Sequence, residues 1–176
     1  MSMAEPGRTT QYLSFYLADE VYAIDISRVR EVLDFTSLTV VPKMPEYMRG
    51  VINLRGSVVP VIDLRLKFGM GRTEYTISTC IVIVEVSMGS ERLVLGALAD
   101  SVQEVFDLRL DEMAPAPKIG TQLHTEFLSG MGMKDDRFIL LLDMDNVFHQ
   151  DELDTARRMA DAPHGALAGA AGQHGV

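Results

Sequence analysis

The 176-residue chain has no tryptophan, one cysteine and only 7% aromatic residues. Each shortage excludes something. Cys80 has no second cysteine to pair with, so a disulfide framework and a cysteine-built zinc site are both ruled out, and cytosol is the expected compartment. Its place in the apolar run Cys80-Ile81-Val82-Ile83-Val84 predicts a raised thiol pKa and an inert side chain. Long hydrophobic runs are missing too. The apolar stretches are strand-sized and broken by Glu, Arg, Pro or Asp, whereas a spanning helix needs about 20 predominantly apolar residues. Met1 to Arg8 lacks the basic and then apolar pattern of a secretory leader, so neither export nor direct membrane insertion is expected.

Positive charge is also scarce, with 16 Lys and Arg against 25 Asp and Glu and a net charge of -9. Phosphate contacts need a basic face, so a general nucleic-acid partner is not expected. The charge is uneven along the chain. Residues 28 to 72 carry eight basic and four acidic side chains, whereas residues 73 to 150 carry five basic and 13 acidic ones. Such asymmetry suits two different partners or head-to-tail stacking, and it equally suits solvated faces that keep a protein soluble.

What the chain does have is short β-branched segments. Leu13 to Leu17 and Val21 to Ile26 flank a turn at Ala18-Asp19-Glu20 and read as a hairpin. Further runs lie at Val51 to Leu54, Val58 to Leu64, Cys80 to Val86, Arg92 to Leu98 and Arg137 to Met144, separated by turn residues such as Arg55-Gly56-Ser57 and Asp135-Asp136. The class is all-β. Helical spacing first shows at Leu153, Ala156 and Met159, which predicts a short C-terminal helix over 151–161. The Ala- and Gly-rich stretch 162–176 reads as a disordered tail, and residues 1–10 as a flexible N-terminus.

The most informative pattern is an internal repeat. Tyr22 to Leu33 aligns with Leu95 to Phe106 at an offset of 73, sharing the frame V-x-E-V-[LF]. Gly50 then meets Gly130 and Asp63 meets Asp143 at an offset of 80, so the second copy carries seven extra residues. About five short strands per copy can close on themselves, which predicts a duplicated small barrel, the first over roughly 11–75 and the second over roughly 76–150, with strands free to exchange at the boundary.

Catalytic and ligand-binding patterns are few. There is no phosphate-binding P-loop, Gly69-Met70-Gly71 and Gly130-Met131-Gly132 read as turns, and the four histidines are scattered. Alternation on a strand would place Asp143 and Asp145 on one solvent face, without the loop that calcium needs. No catalytic pair, cofactor or metal site is therefore expected. One polar cluster stands out at Asn53-Leu54-Arg55-Gly56, where Arg55 precedes a glycine at a tight turn and projects a rigid five-donor fork. The fork suits a partner's carboxylates or carbonyls, or else satisfies carbonyls within the turn. The second copy has no Asn or Arg there.

At these residues the chain resembles the CheW-like adaptor proteins of bacterial chemotaxis, from about Gln11 to Leu153. The resemblance is carried by Tyr22 to Ile26 with Val29-Arg30-Glu31-Val32, by Met48 to Gly56, by Val59 to Arg65, and by Gly96 to Val105 with Pro115-Ala116-Pro117; Ala99 and Ser101 depart mildly from the pattern. It implies one domain over 11–150, built of two five-stranded SH3-like or OB-like barrels related by a pseudo-twofold axis. It also implies a non-enzymatic adaptor that couples the cytoplasmic tips of methyl-accepting chemoreceptors to the regulatory domain of the histidine kinase CheA, recruited to the inner face of the membrane and able to form rings with the kinase. The implied receptor-binding positions are Val29, Gly50, Asn53, Arg55, Val102 and Val105. Leu38, Val40 and Val41 are the positions expected to contact the kinase, and they equally read as ordinary core. A small-ligand or oligonucleotide-binding barrel is the rival reading, opposed by the net charge and the shortage of aromatics.

Overall fold

The computed structural model describes residues 8–115 and 125–161. Residues 1–7 and the tail 162–176, for which flexibility is expected, lie outside them. The described elements are β1 (Thr9–Leu17), β2 (Glu20–Asp25), β3 (Val29–Asp34), β4 (Met48–Leu54), β5 (Ser57–Ile62), α1 (Leu64–Lys67), β6 (Cys80–Met88), β7 (Glu91–Ala99), β8 (Ser101–Arg109), β9 (Leu128–Lys134), β10 (Arg137–Leu142) and α2 (Gln150–Ala160), with three 3-10 turns between strands. Thr9 and Thr10 are thus not part of a flexible arm: they pair with Arg109 and Leu108.

The strands form two five-stranded sheets, ordered β8-β1-β2-β10-β9 (barrel A) and β3-β6-β7-β5-β4 (barrel B). Replacing each of β1 to β5 by the strand five places later, and the reverse, turns one order into the other. The registers agree. Leu141 lies opposite Ala23 across the parallel β10 and β2 pair, and Val61 lies opposite Gly96 across the parallel β5 and β7 pair. The duplication read from the sequence is therefore a duplication of structure.

The expected boundary at 75/76 needs correction. Each barrel takes its first hairpin from the opposite copy, and short links carry the chain across. Ile26–Arg28 forms a 3-10 turn between β2 and β3, held by Ser27 N–H donating to Asp25 at 2.9 Å. Asp100 alone separates β7 from β8. Reversing a strand takes at least a two-residue loop, so at Asp100 the chain has no room to fold back and runs forward into the other barrel; at the first link the 3-10 turn carries it across. Neither barrel is a contiguous domain.

Closure is achieved symmetrically. Beyond β3, Thr39 exchanges two backbone hydrogen bonds of 2.9 Å with Val51 of β4, and beyond β8, Ala114 exchanges two of 2.8 Å with Met131 of β9. The edge strands are thereby joined and the exposed edges removed. Gly50 and Gly130 sit under these bridges, where an added Cβ would fall 2.6 Å from Thr39 O and 2.9 Å from Ala114 O. Gly130 and Gly132 accordingly lie inside β9 and not in a turn.

Three apolar clusters form. Tyr12, Val21, Phe106, Leu108, Ile139 and Leu141 fill barrel A, and Val59, Val61, Ile81, Ile83 and Leu98 fill barrel B. The third and largest lies between the barrels and includes Phe15, Tyr22, Phe68, Val82, Val84 and Leu142. Strands such as β6 are buried on both faces, which is why they read as unbroken apolar runs. Helix α2 closes the shared core by burying Leu153, Ala156 and Met159 and packing on β5 and β7. The spacing expected from the sequence is the spacing that docks.

Candidate functional site

The edge strands β3 and β8 begin immediately after the two crossings between barrels. Residues directly opposite in an antiparallel pair share a face, so the register says where each valine points. Val29 and Val32 lie opposite Val84 and Val82, while Val102 and Val105 lie opposite Phe15 and Leu13. All four of those partners belong to the shared core. Val29 and Val102 are half-buried against that core, whereas Val32 and Val105 continue the same two faces into solvent at 39% and 47% exposure. The result is an apolar strip on each barrel that runs from the shared core to the surface. Cys80, at the start of β6, meets the Val102 backbone; burial raises its thiol pKa, and the Val102 hydrogen bond pulls the other way.

From the sequence Val32 reads as part of the repeat frame and not as a binding position. The signal was there: it is the repeat partner of Val105 at the offset of 73.

Arg55 and Gly56 form the two-residue turn between β4 and β5, with φ of 52° and 89°. Positive φ at both central residues is the signature of a type I′ hairpin, and Asp135 and Asp136 repeat it with 54° and 61°. The Asn53 side-chain oxygen accepts from Gly56 N–H at 2.8 Å, so this asparagine braces the turn. The Arg55 guanidinium reaches β3 and grips Glu31 with two hydrogen bonds of 2.7 and 2.9 Å. Its side chain is still 71% exposed and leaves donors free for a partner. A concavity of about 730 Å³ opens beside the pair, lined among others by Arg30, Leu54, Val59, Val94 and Ala160. On barrel A the corresponding hollow is 270 Å³, and its charge pair is the looser Lys134 to Glu104 contact of 3.9 Å. The two copies thus differ at this place in size and in the grip of the charge pair.

The Arg55 hydrogen bonds hold the Glu31 carboxyl below its ordinary 4.5. A carboxylate whose pKa is lowered in the fold contributes stability that is fully present above its unfolded value and disappears as pH falls through the lowered one. The expected NMR titration of the Glu31 carboxyl carbon has its midpoint below 4.5, and Arg55→Gln returns it toward that value. An unchanged midpoint in the variant would show that the pair does not form in solution.

Not every implied residue belongs to this face. Gly50 packs against Leu38 and Thr39, away from the valines. Leu38 is half-buried against the core of barrel B and Val41 against the shared core, while Val40 is 65% exposed. These three border a second concavity of about 600 Å³ whose wall includes the stacked rings of Phe35 and Tyr75, 4.0 Å between centroids, together with Met44. Asp143 and Asp145 do not alternate on a strand: they follow β10 in a turn where Asp143 accepts from Asp145 N–H at 3.1 Å. Among the described residues, no three His, Cys, Asp or Glu side chains are grouped to hold a metal ion, and no helix is long and apolar enough to cross a membrane.

Residues 11–152, which take in both barrels and reach the first turn of α2, match the CheW-like domain. The chain belongs to the CheW-like family. It is 33% identical to a chemotaxis protein CheW of Klebsiella aerogenes over 143 residues, covering 81% of this chain and 84% of that one. It is also 33% identical to a probable chemotaxis protein CheW of Rhizobium etli, covering 83% of this chain and 92% of the other. Among solved structures, the scaffolding protein TtCheW from Thermoanaerobacter tengcongensis superposes with a TM-score of 0.72 at 34% identity, covering 85% of this chain and 93% of that one. CheW-like membership and the exchanged double barrel therefore rest on independent observations, one from sequence and one from strand order.

Proposed function

We propose that this chain is a non-catalytic adaptor of bacterial chemotaxis that couples the cytoplasmic tips of transmembrane chemoreceptors to the histidine kinase CheA, held at the inner face of the membrane by the receptors. The observation that carries this reading is the unbroken CheW-like match over residues 11–152, shared with relatives named chemotaxis proteins. The geometry supports it. A helical hairpin presents apolar ridges, and the valine strips of β3 and β8 offer ridges of that kind a groove. In this reading Val29, Val102 and Val105, joined by Val32, meet the receptor, and Arg55 supplies charge-assisted hydrogen bonds at the rim. Asn53 and Gly50 act through the backbone they shape. Leu38, Val40 and Val41 border the kinase contact, with Val40 the exposed member. CheA's regulatory domain, as the partner that alternates with the adaptor, would extend the pair into rings.

The test is light scattering on size-exclusion chromatography of the full chain, a soluble receptor tip and the CheA regulatory domain. The expected result is a ternary peak. Arg55→Glu faces Glu31 with a like charge and presents repulsion to the receptor, so receptor affinity should fall by about tenfold or more. Melting temperature should move far less than in a core variant, because the side chain is exposed. Separate elution of all three wild-type proteins would contradict the adaptor reading.

A further inference from the structure

The two crossings between barrels are each held by an ion pair, and the two pairs have opposite polarity. At the first crossing, Arg28 of the link between β2 and β3 donates to Asp145 at 2.6 Å, in the turn that follows β10. It also reaches Glu85 O of β6 at 3.4 Å, and Asp145 in turn takes hydrogen bonds from Ser87. At the second crossing the signs are reversed. Asp100, the single residue between β7 and β8, accepts from Arg65 at 3.2 Å, and Arg65 lies in α1, which follows β5. Asp100 also accepts from Ala18 N–H at 2.6 Å, in the hairpin turn of β1 and β2, and its own N–H donates to Tyr16 O at 2.9 Å. Arg65 and Asp145 are repeat partners at the offset of 80. Each pair therefore ties together the same three things: a crossing, the segment that follows a copy's fifth strand, and the first hairpin of the barrel the chain is entering.

These ties sit where they bear on function. Val29 follows Arg28 directly, and Val102 follows Asp100 by two residues, so the pairs fix the starting points of both valine strands. We propose that Arg28 with Asp145, and Arg65 with Asp100, are positioning residues that set the separation of the β3 and β8 strips and thereby the groove that takes the receptor. This rests on the receptor reading above. Packing of the shared core holds the barrels together; the pins select one relative placement from the range that apolar packing, which has little directionality, tolerates. The salt-bridge side chains at both crossings are only 22% to 43% exposed, so they are screened less than free surface pairs.

The experiment uses the full chain with spin labels on Ser90→Cys in the β6 to β7 turn and Asp136→Cys in the β9 to β10 turn, in a Cys80→Ala background. Pulsed dipolar spectroscopy reads the separation of the barrels without any partner. The wild-type pins should give one narrow distance distribution. Combining Arg28→Gln with Asp100→Asn should broaden it and weaken receptor-tip binding by about tenfold, while binding of the CheA regulatory domain changes by less than about twofold. The exchanged pair Arg28→Asp with Asp145→Arg should recover the narrow distribution and receptor binding relative to Arg28→Asp alone, which separates a lost pin from a lost fold. A distribution that stays narrow with both pins removed, or receptor and kinase binding that fall together, overturns the proposal. Failure of the wild-type chain to bind the receptor tip, with pin-dependent distances intact, overturns the receptor reading and leaves the pins as setting the separation of the barrels alone.

Discussion

Replacing Asp63 with alanine is expected to destabilise the fold by about 3–5 kcal/mol, the range for breaking a buried ion pair by removing one partner. The Asp63 carboxylate is fully buried and the Arg49 side chain only 11% exposed, with 2.7 Å between them. Asp63 also accepts from Thr73 N–H at 2.9 Å, from the Thr73 hydroxyl at 2.7 Å and from the backbone N–H groups of Arg65 and Leu66 that open α1. Without the carboxylate, all of these donors lose their acceptor and the Arg49 cation stays behind. Arg49 lies 4.7 Å from the Tyr75 ring centroid, and Tyr75 stacks on Phe35, so the wall of the second concavity should loosen as well. Urea unfolding measures the first effect, and hydrogen exchange over residues 69–79 the second. A loss below about 1 kcal/mol would place this network among ordinary surface pairs.

The second large effect is expected at Lys67. Its side chain is 4% exposed, its ammonium lies 2.6 Å from Glu152 of α2, and the rings of Tyr47, Phe127 and Phe148 surround it at 5.8, 5.5 and 5.6 Å. A helix of barrel B, the turn beyond barrel A and the C-terminal helix are thus joined at one cation. Lys67→Met fills much of the same volume but leaves the Glu152 carboxylate facing aromatic rings, at an expected cost of about 2–4 kcal/mol. Glu152 retains His149 N–H at 2.8 Å and some solvent, which keeps the figure below that for Asp63. Adding Glu152→Gln should recover a sizeable part, because no unpaired charge then remains. Additive losses in this double-mutant cycle would show that the two groups do not interact.

The parts of this structure that were legible in the sequence are those written in local pattern. Hairpin turns announce themselves through Ala18-Asp19, Arg55-Gly56 and Asp135-Asp136, and α2 through Leu153, Ala156 and Met159. The repeat is legible because the order of Gly50, Asp63, Gly130 and Asp143 is kept, and the structure gives a reason for keeping it: the glycines seat the closing bridges, while Asp63 N–H and Asp143 N–H donate to Tyr47 O and Phe127 O at 2.7 and 2.8 Å. That strands could exchange at the boundary was expected, but which hairpin crosses was not legible. Strand pairing between distant segments leaves no periodic trace, and only the shortness of the Asp100 link hints at it. Ion pairs such as Arg28 to Asp145 and Lys67 to Glu152 join residues 117 and 85 positions apart, so no spacing rule finds them. Arg55 was legible as a projected fork, but its grip on Glu31 was not, because that depends on how β3 lies beside the β4 to β5 turn.

Hydrogen exchange of the full chain with and without a receptor tip shows which face the receptor covers, since it reads every part of both barrels at once. Protection is expected to concentrate in residues 29–34 and 101–106, the two valine strips, with a smaller change at the Arg55 turn and little over residues 36–42. Protection confined to 36–42, or to α2, with the valine strips exchanging as they do in the free protein, would contradict the receptor reading.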